Sequence, residues 1–197
     1  WVRGRHLCER VVSNGFFVRA LVREGSSTVL KPKRKLEQLV GDPLDPSFLV
    51  KACEGIDAIV HLAWLAHVIR PNDEQLYKMD VAGTELLLAA ADEQKVERFV
   101  FMSSSLAATT NTQALVTTAY GKAKLAAEKL VMSQQNAGNM KCTVLRPVNV
   151  YGRGMRGNIA LLISLVLRRL APPLPRLRTS LSLIGVEDVC DAISLVI

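Results

Sequence analysis

The sequence predicts an α/β fold in which a parallel sheet is doubly wound by helices, and two observations predict it. Short apolar runs alternate with segments of helical periodicity, at Phe16 to Val22, Ala58 to Leu62, Phe99 to Met102 and Cys142 to Leu145. Several such strands separated by helices imply a parallel sheet covered on both faces. The hydroxyls, imidazole and guanidinium capable of chemistry also cluster just after these runs, where sheets of this kind bind ligands.

The elements follow in order. Arg5 to Ser13 reads as a helix closed by Asn14-Gly15, a pair that tolerates the left-handed conformation of a helix stop. Phe16 to Val22 is a strand, Pro46 to Cys53 a helix and Ala58 to Leu62 the next strand. Asp73 to Gln94 carries Leu76, Met79, Val81, Leu86 and Leu87 at helical spacing and reads as one long helix. Phe99 to Met102 is a strand ending in three serines, Thr118 to Ser133 a second long helix, and Cys142 to Leu145 a strand. The longest apolar run, Ile159 to Leu167, is broken by Ser164 and flanked by Arg168 and Arg169. It falls well short of the roughly 20 residues of a membrane span and is expected to be a buried helix. Val189 to Ile197 is again helix-like.

No linker or repeat divides the chain, so residues 1–197 are read as one domain. The first residue is Trp1, no leader peptide is recognisable, and the last residues lie in an apolar stretch, so a fragment truncated at both ends is expected. Cys8, Cys53, Cys142 and Cys190 are scattered, with neither C-x-x-C nor metal-ligand spacing. That pattern fits reduced thiols in a cytoplasmic protein and no metal site. The net charge of +7 raises nucleic acid as a partner. The basic residues are dispersed and aromatics few, and the one dense cluster, Lys31 to Lys35, reads as a solvated loop. The expectation is no nucleic acid and no membrane.

Tyr120-Gly121-Lys122-Ala123-Lys124 is the sharpest chemical signal. Residues four apart on a helix share a face. A phenol with an ordinary pKa of about 10 is a poor acid or base near neutrality, and a neighbouring ammonium favours its phenolate. Ser103-Ser104-Ser105 ends a strand some residues earlier, where a hydroxyl can bond a substrate oxygen. Either signal alone also fits ordinary structure, an amphipathic helix or a helix cap. Together they are more specific.

With these residues the chain resembles the extended short-chain dehydrogenase/reductase family, in particular its NAD-dependent epimerase/dehydratase group, which acts largely on nucleotide sugars. Gly4-Arg5-His6-Leu7 is similar to the end of the family's glycine loop, and Asp42-Pro43-Leu44-Asp45 to its segment near adenine. His61-Leu62-Ala63-Trp64 resembles the turn after its fourth strand, and Val96 to Val100 its approach to the serine strand. Leu145 to Gly152, with Pro147, is similar to its L-R-P-x-x-V-Y-G segment, and Val186 to Ile193 to a later helix start. The resemblance implies a Rossmann-like fold lacking its first strand and most of its C-terminal substrate portion.

It further implies catalysis by Ser104, Tyr120 and Lys124. Tyr120 would be the general acid/base and Lys124 its partner and ribose ligand, while Ser104 polarises the reacting oxygen (Ser105 is the fallback). A dinucleotide would lie against Gly4, Arg23, Asp42, Pro43, Leu62, Ala63, Tyr120, Lys124 and Pro147. After the strand Phe16 to Val22 stands Arg23 rather than a carboxylate, which leans the cofactor to NADP over NAD. The implied partner is a nucleotide-sugar substrate, and a homodimer is implied by family habit.

Three departures stand out. Trp1 falls where the loop's middle glycine belongs, Asp80 where many relatives have asparagine, and Leu181 where many have a phosphate-gripping arginine, with Arg176 and Arg178 the candidates to replace the last. The competing readings are a reductase of small carbonyl compounds or sterols, and a non-catalytic dinucleotide-binding remnant.

Overall fold

The computed structural model describes residues 2–23, 34–62, 74, 77–109, 118–138, 140–155, 158–170 and 181–197. Helix α1 (Val2–Ser13) leads into β1 (Val18–Val22), β2 (Leu36–Val40), α2 (Pro46–Cys53) and β3 (Ala58–His61). A π turn over Lys78–Ala82 runs into α3 (Gly83–Glu93), followed by β4 (Arg98–Met102), α4 (Ser105–Thr109) and α5 (Ala119–Asn136). The chain continues through β5 (Lys141–Leu145), β6 (Asn149–Tyr151), α6 (Asn158–Leu167), β7 (Leu183–Gly185) and α7 (Val186–Ser194). Among the described residues every strand pairing is parallel: β1 with β2, β4 between β3 and β5, and β6 with β7. This is the expected Rossmann-like, doubly wound α/β architecture.

The central strand β4 shows why. Its sequence Arg-Phe-Val-Phe-Met is buried from Phe99 onward, because alternate side chains enter two different cores. Phe99 and Phe101 pack with Leu49, Leu87, Leu88 and Val131 beneath α2, α3 and α5. Met102 joins Leu7, Val11, Val186, Val189 and Ile193 beneath α1 and α7. Arg10 Nε donates to Asp191 Oδ1 at 2.6 Å and ties α1 to α7.

Local chemistry sets the helix ends. Gly15, at φ +96°, closes α1, with Phe16 N donating to Val11 O and Gly15 N to Val12 O. This is the paired Schellman arrangement that Asn14-Gly15 predicts. Asp45 caps α2 by accepting from Ser47 N, ahead of Pro46 at the first helical turn. Thr118 caps α5 by accepting from Gly121 N at 3.0 Å. Lys95 ends α3 in the left-handed region, with Val96 N bonding Ala91 O and Lys95 N bonding Asp92 O.

The structure adds strands that the sequence reading did not assign and corrects two expectations. The stretch Leu36–Val40 is a strand, paired over its whole length with β1, although Glu37 and Gln38 obscure its apolar pattern. The long helix expected from Asp73 to Gln94 contains the π turn at Lys78–Ala82, which shifts its register before α3. The short β6 and β7 are paired strands, too brief for a periodicity signal. Ile159 to Leu167 lies within α6 as a helix but is not buried: Leu161, Val166 and Leu167 are more than half exposed. Among the described residues no element packs closely over that face. No described helix is long and apolar enough to cross a membrane.

Candidate functional site

The strands β1 and β3 face each other across a cavity of about 790 Å³, walled by residues of both. It runs the whole length of both strands, from Phe16 and Asp57 at one end to Arg23 and Leu62 at the other. Five of the expected residues meet on its wall: Gly4 from α1, Arg23 after β1, Pro43 before α2, Leu62 after β3, and Tyr120 from α5. They come from distant parts of the sequence, and all but Gly4 and Tyr120 follow a strand.

Asp42, Ser104, Lys124 and Pro147 are not on that wall. The Asp42 carboxylate accepts from Leu44 N at 2.9 Å and so braces its own turn. Pro147 O accepts from Ser105 N at 3.0 Å, which binds the segment after β5 to the serine loop. Of the serines, Ser103 is buried, and Ser104 is half-buried with its Oγ accepting from Leu106 N at 3.3 Å. Ala63 lies outside the described residues, as do Trp1, Arg176, Arg178 and most of the Lys31 to Lys35 cluster.

Tyr120 stands half-buried in the first turn of α5. The close approach of α4 positions that turn, for Gly121 lies so near Leu106 that a Cβ would meet its carbonyl oxygen at 2.6 Å. One turn along, the Lys124 ammonium lies 5.7 Å from the Tyr120 ring centre and 5.0 Å from that of Phe101. It is fully buried and donates to Asp80 Oδ1 at 3.0 Å. Asp80 is itself 1% exposed, and its Oδ2 lacks a hydrogen-bond partner among the described residues.

A polar chain continues from Asp80. Thr84 Oγ1 donates to the Asp80 backbone carbonyl at 2.5 Å, and His61 Nε2 lies 3.1 Å from the same hydroxyl. A carbonyl only accepts, so the single Thr84 proton points to it, and His61 must donate from Nε2. His61 therefore carries a proton on Nε2. Burial, aided by the Lys124 charge, pushes its pKa down to about 3. Further along α5, Arg146 Nε donates to Glu128 Oε1 at 2.8 Å. Burial pushes the Glu128 carboxyl up, but the hydrogen bonds and charge of Arg146 outweigh it and hold the group low.

Sequence reasoning placed Tyr120 and Lys124 on one face but did not pair Lys124 with Asp80. The signal available was the acidic residue at a position where asparagine is usual. The four thiols are free, and burial pushes Cys8, Cys53 and Cys190 up to about 11. They are poor nucleophiles near neutrality. Among the described residues no group of three His, Cys, Asp or Glu side chains is placed to hold a metal ion.

Known proteins resemble this chain in sequence and fold. The model of the NAD dependent epimerase/dehydratase family matches residues 2–197. The 3 beta-hydroxysteroid dehydrogenase/Delta 5-->4-isomerase of Mycobacterium tuberculosis is 29% identical over 168 residues, covering 77% of this chain and 45% of that protein. The structure of MoeE5 in complex with UDP-glucuronic acid and NAD superposes with a TM-score of 0.80 at 27% identity, covering 98% of this chain and 68% of that one. The UDP-glucose 4-epimerase of Thermotoga maritima shares the fold, with a TM-score of 0.80 at 23% identity, over 98% of this chain and 69% of its own. The chain thus spans about half the length of the curated relatives it matches.

Proposed function

The chain belongs to the NAD dependent epimerase/dehydratase family, and from that premise we propose that it is an NAD(P)-dependent oxidoreductase of epimerase or dehydratase type acting on a nucleotide sugar. The observation that carries the reading is Tyr120, half-buried on the cavity wall with Lys124 one turn behind it. Gly4, Arg23, Pro43 and Leu62 on the same wall suit a dinucleotide: Gly4, without a side chain, leaves the first turn of α1 approachable, and backbone N–H groups at a helix start attract phosphate. When bound, the nicotinamide supplies or accepts the hydride. Tyr120 gives its hydroxyl proton to a carbonyl oxygen in the reductive direction and takes it back from the alcohol in the oxidative one. Ser104 orients that oxygen, and Lys124, the ribose ligand the resemblance implies, lies buried behind Tyr120 and bonded to Asp80. Arg23, exposed after β1, favours a 2′-phosphate. NAD in complex with MoeE5 supports the unphosphorylated cofactor equally.

A second reading is oxidation or reduction of a sterol or small carbonyl compound at the same tyrosine. The sequence likeness to a 3 beta-hydroxysteroid dehydrogenase favours it, as does exposed Leu181 in place of an arginine. The deciding experiment incubates the protein with NAD or NADP and either UDP-sugars or 3β-hydroxysteroids. Reduced nicotinamide is followed by absorbance and sugar products by NMR, because an epimerisation leaves no net cofactor change. Turnover of UDP-sugars supports the first reading, and turnover of steroids alone overturns it in favour of the second.

A further inference from the structure

The buried Asp80–Lys124 pair has a consequence for the tyrosine beside it. An ammonium near a phenol favours its phenolate, and a carboxylate bonded to that ammonium largely cancels its field. Both charges here are inside the protein, where solvent screens little. The pairing is built in by the backbone, since the π turn over Lys78–Ala82 carries Asp80 against α5, and Thr84 Oγ1 holds the Asp80 carbonyl. We propose that Asp80 is a positioning residue that engages the Lys124 ammonium and thereby withholds that charge from Tyr120, keeping the tyrosine a weaker acid than it would be beside an unpaired lysine. This rests on the reading of Tyr120 as the acid/base group.

Asp80 is the charge hydrogen-bonded to the Lys124 ammonium, at 3.0 Å. His61 from β3 is neutral, since burial and then the Lys124 charge push its pKa down to about 3. Glu128 on α5 is bonded to Arg146 from the segment after β5, and its carboxylate also feels the Lys124 charge. From α3, Thr84 faces the pair while Glu85 is exposed. The short α4 carries no ionisable side chain, β4 contributes the Phe101 ring, and Tyr151 and Arg23 share the cavity with Tyr120. In the reductive direction, with a reduced nicotinamide as hydride donor, the ketone oxygen would receive the Tyr120 proton, and the phenolate would regain one from water, leaving a hydroxide to balance the charge of the oxidised cofactor. Atoms and charge balance without a further reactant.

The test reads the phenol directly and needs neither cofactor nor substrate. Near-ultraviolet phenolate absorbance is titrated in the wild type and in Asp80→Asn, and the Tyr120 contribution is assigned by difference from the same proteins carrying Tyr120→Phe. The Tyr120 midpoint is expected to fall by about one pH unit or more in Asp80→Asn, the effect of an opposite charge at this range once uncovered. Coincident midpoints would overturn the proposal. The double variant Asp80→Asn/Lys124→Met removes both buried charges at similar volume and guards against a single variant that does not fold. Its Tyr120 midpoint is expected within a few tenths of a unit of the wild type, and a displacement of a full unit would equally overturn the proposal. A shifted midpoint in a protein that turns over no substrate would leave this inference standing and sink the functional reading. Turnover with coincident midpoints would do the reverse.

Discussion

Substituting Gly121 by alanine tests the contact that places Tyr120 against the serine loop. The added Cβ would stand 2.6 Å from the backbone oxygen of Leu106, 3.1 Å from its carbonyl carbon and 3.2 Å from Thr118 Oγ1. The nearest atom is main chain and cannot rotate aside, so α4 must move off α5. Overpacking of this kind costs about 1–3 kcal/mol, and alanine returns about 1 kcal/mol of helix propensity. The net loss is about 1 kcal/mol, a fall in Tm of roughly 2–4 °C for a chain of this size. Activity suffers more. Leu106 N is bonded to Ser104 Oγ, so the displacement reaches the serine while Tyr120 stays on α5. A misplacement approaching 1 Å costs up to about 100-fold, and kcat/KM is expected to fall by roughly 10- to 100-fold. Calorimetry gives the first quantity and a hydride-transfer assay the second. Full turnover together with a raised Tm would refute the claim that this close approach sets the Ser104–Tyr120 geometry.

Two other perturbations have definite signs. Lys95 sits at φ +58° at the end of α3, where a side chain is strained, so Lys95→Gly is expected to raise Tm by a few degrees (about 1 kcal/mol). A lowered Tm in calorimetry would show that the lysine side chain contributes more than its backbone strain costs. His61 remains neutral in the folded protein down to about pH 3, whereas the unfolded chain protonates it near 6.5. The unfolded state therefore binds more protons between these values, and stability is lost as pH falls through that window. The loss reaches at most about 1.4 kcal/mol per pH unit. His61→Gln, which still has an N–H for Thr84, is expected to flatten that slope in Tm against pH, and equal slopes would contradict the burial of a neutral imidazole.

Much of the fold was legible because its core strands are buried on both faces. Phe99-Val100-Phe101-Met102 announces itself as a continuous apolar run, and Asn14-Gly15 announces a helix stop. Leu36–Val40 did not, for it pairs only with β1 and its residues are merely half-buried or exposed, so Glu37 and Gln38 are tolerated there. The π turn leaves no periodic trace, since it is an irregularity of one turn inside an otherwise helical pattern. The exposure of α6 was misjudged because apolar composition reports what a face would prefer, not what the rest of the chain places over it. At the site, spacing along one helix joined Tyr120 to Lys124. The Asp80–Lys124 bond spans 44 positions and depends on how a π turn meets a distant helix, which no local pattern encodes.

The central claim is that the Tyr120 hydroxyl moves the proton during hydride transfer. Tyr120→Phe removes that oxygen and nothing else, so the most direct measurement is kcat of this variant beside the wild type on the same substrate. A loss of about 100- to 10,000-fold with Tm unchanged is the expected result, the usual scale of general acid–base catalysis. Turnover equal to the wild type would contradict the claim and leave the fold as a binding module without chemistry at this residue.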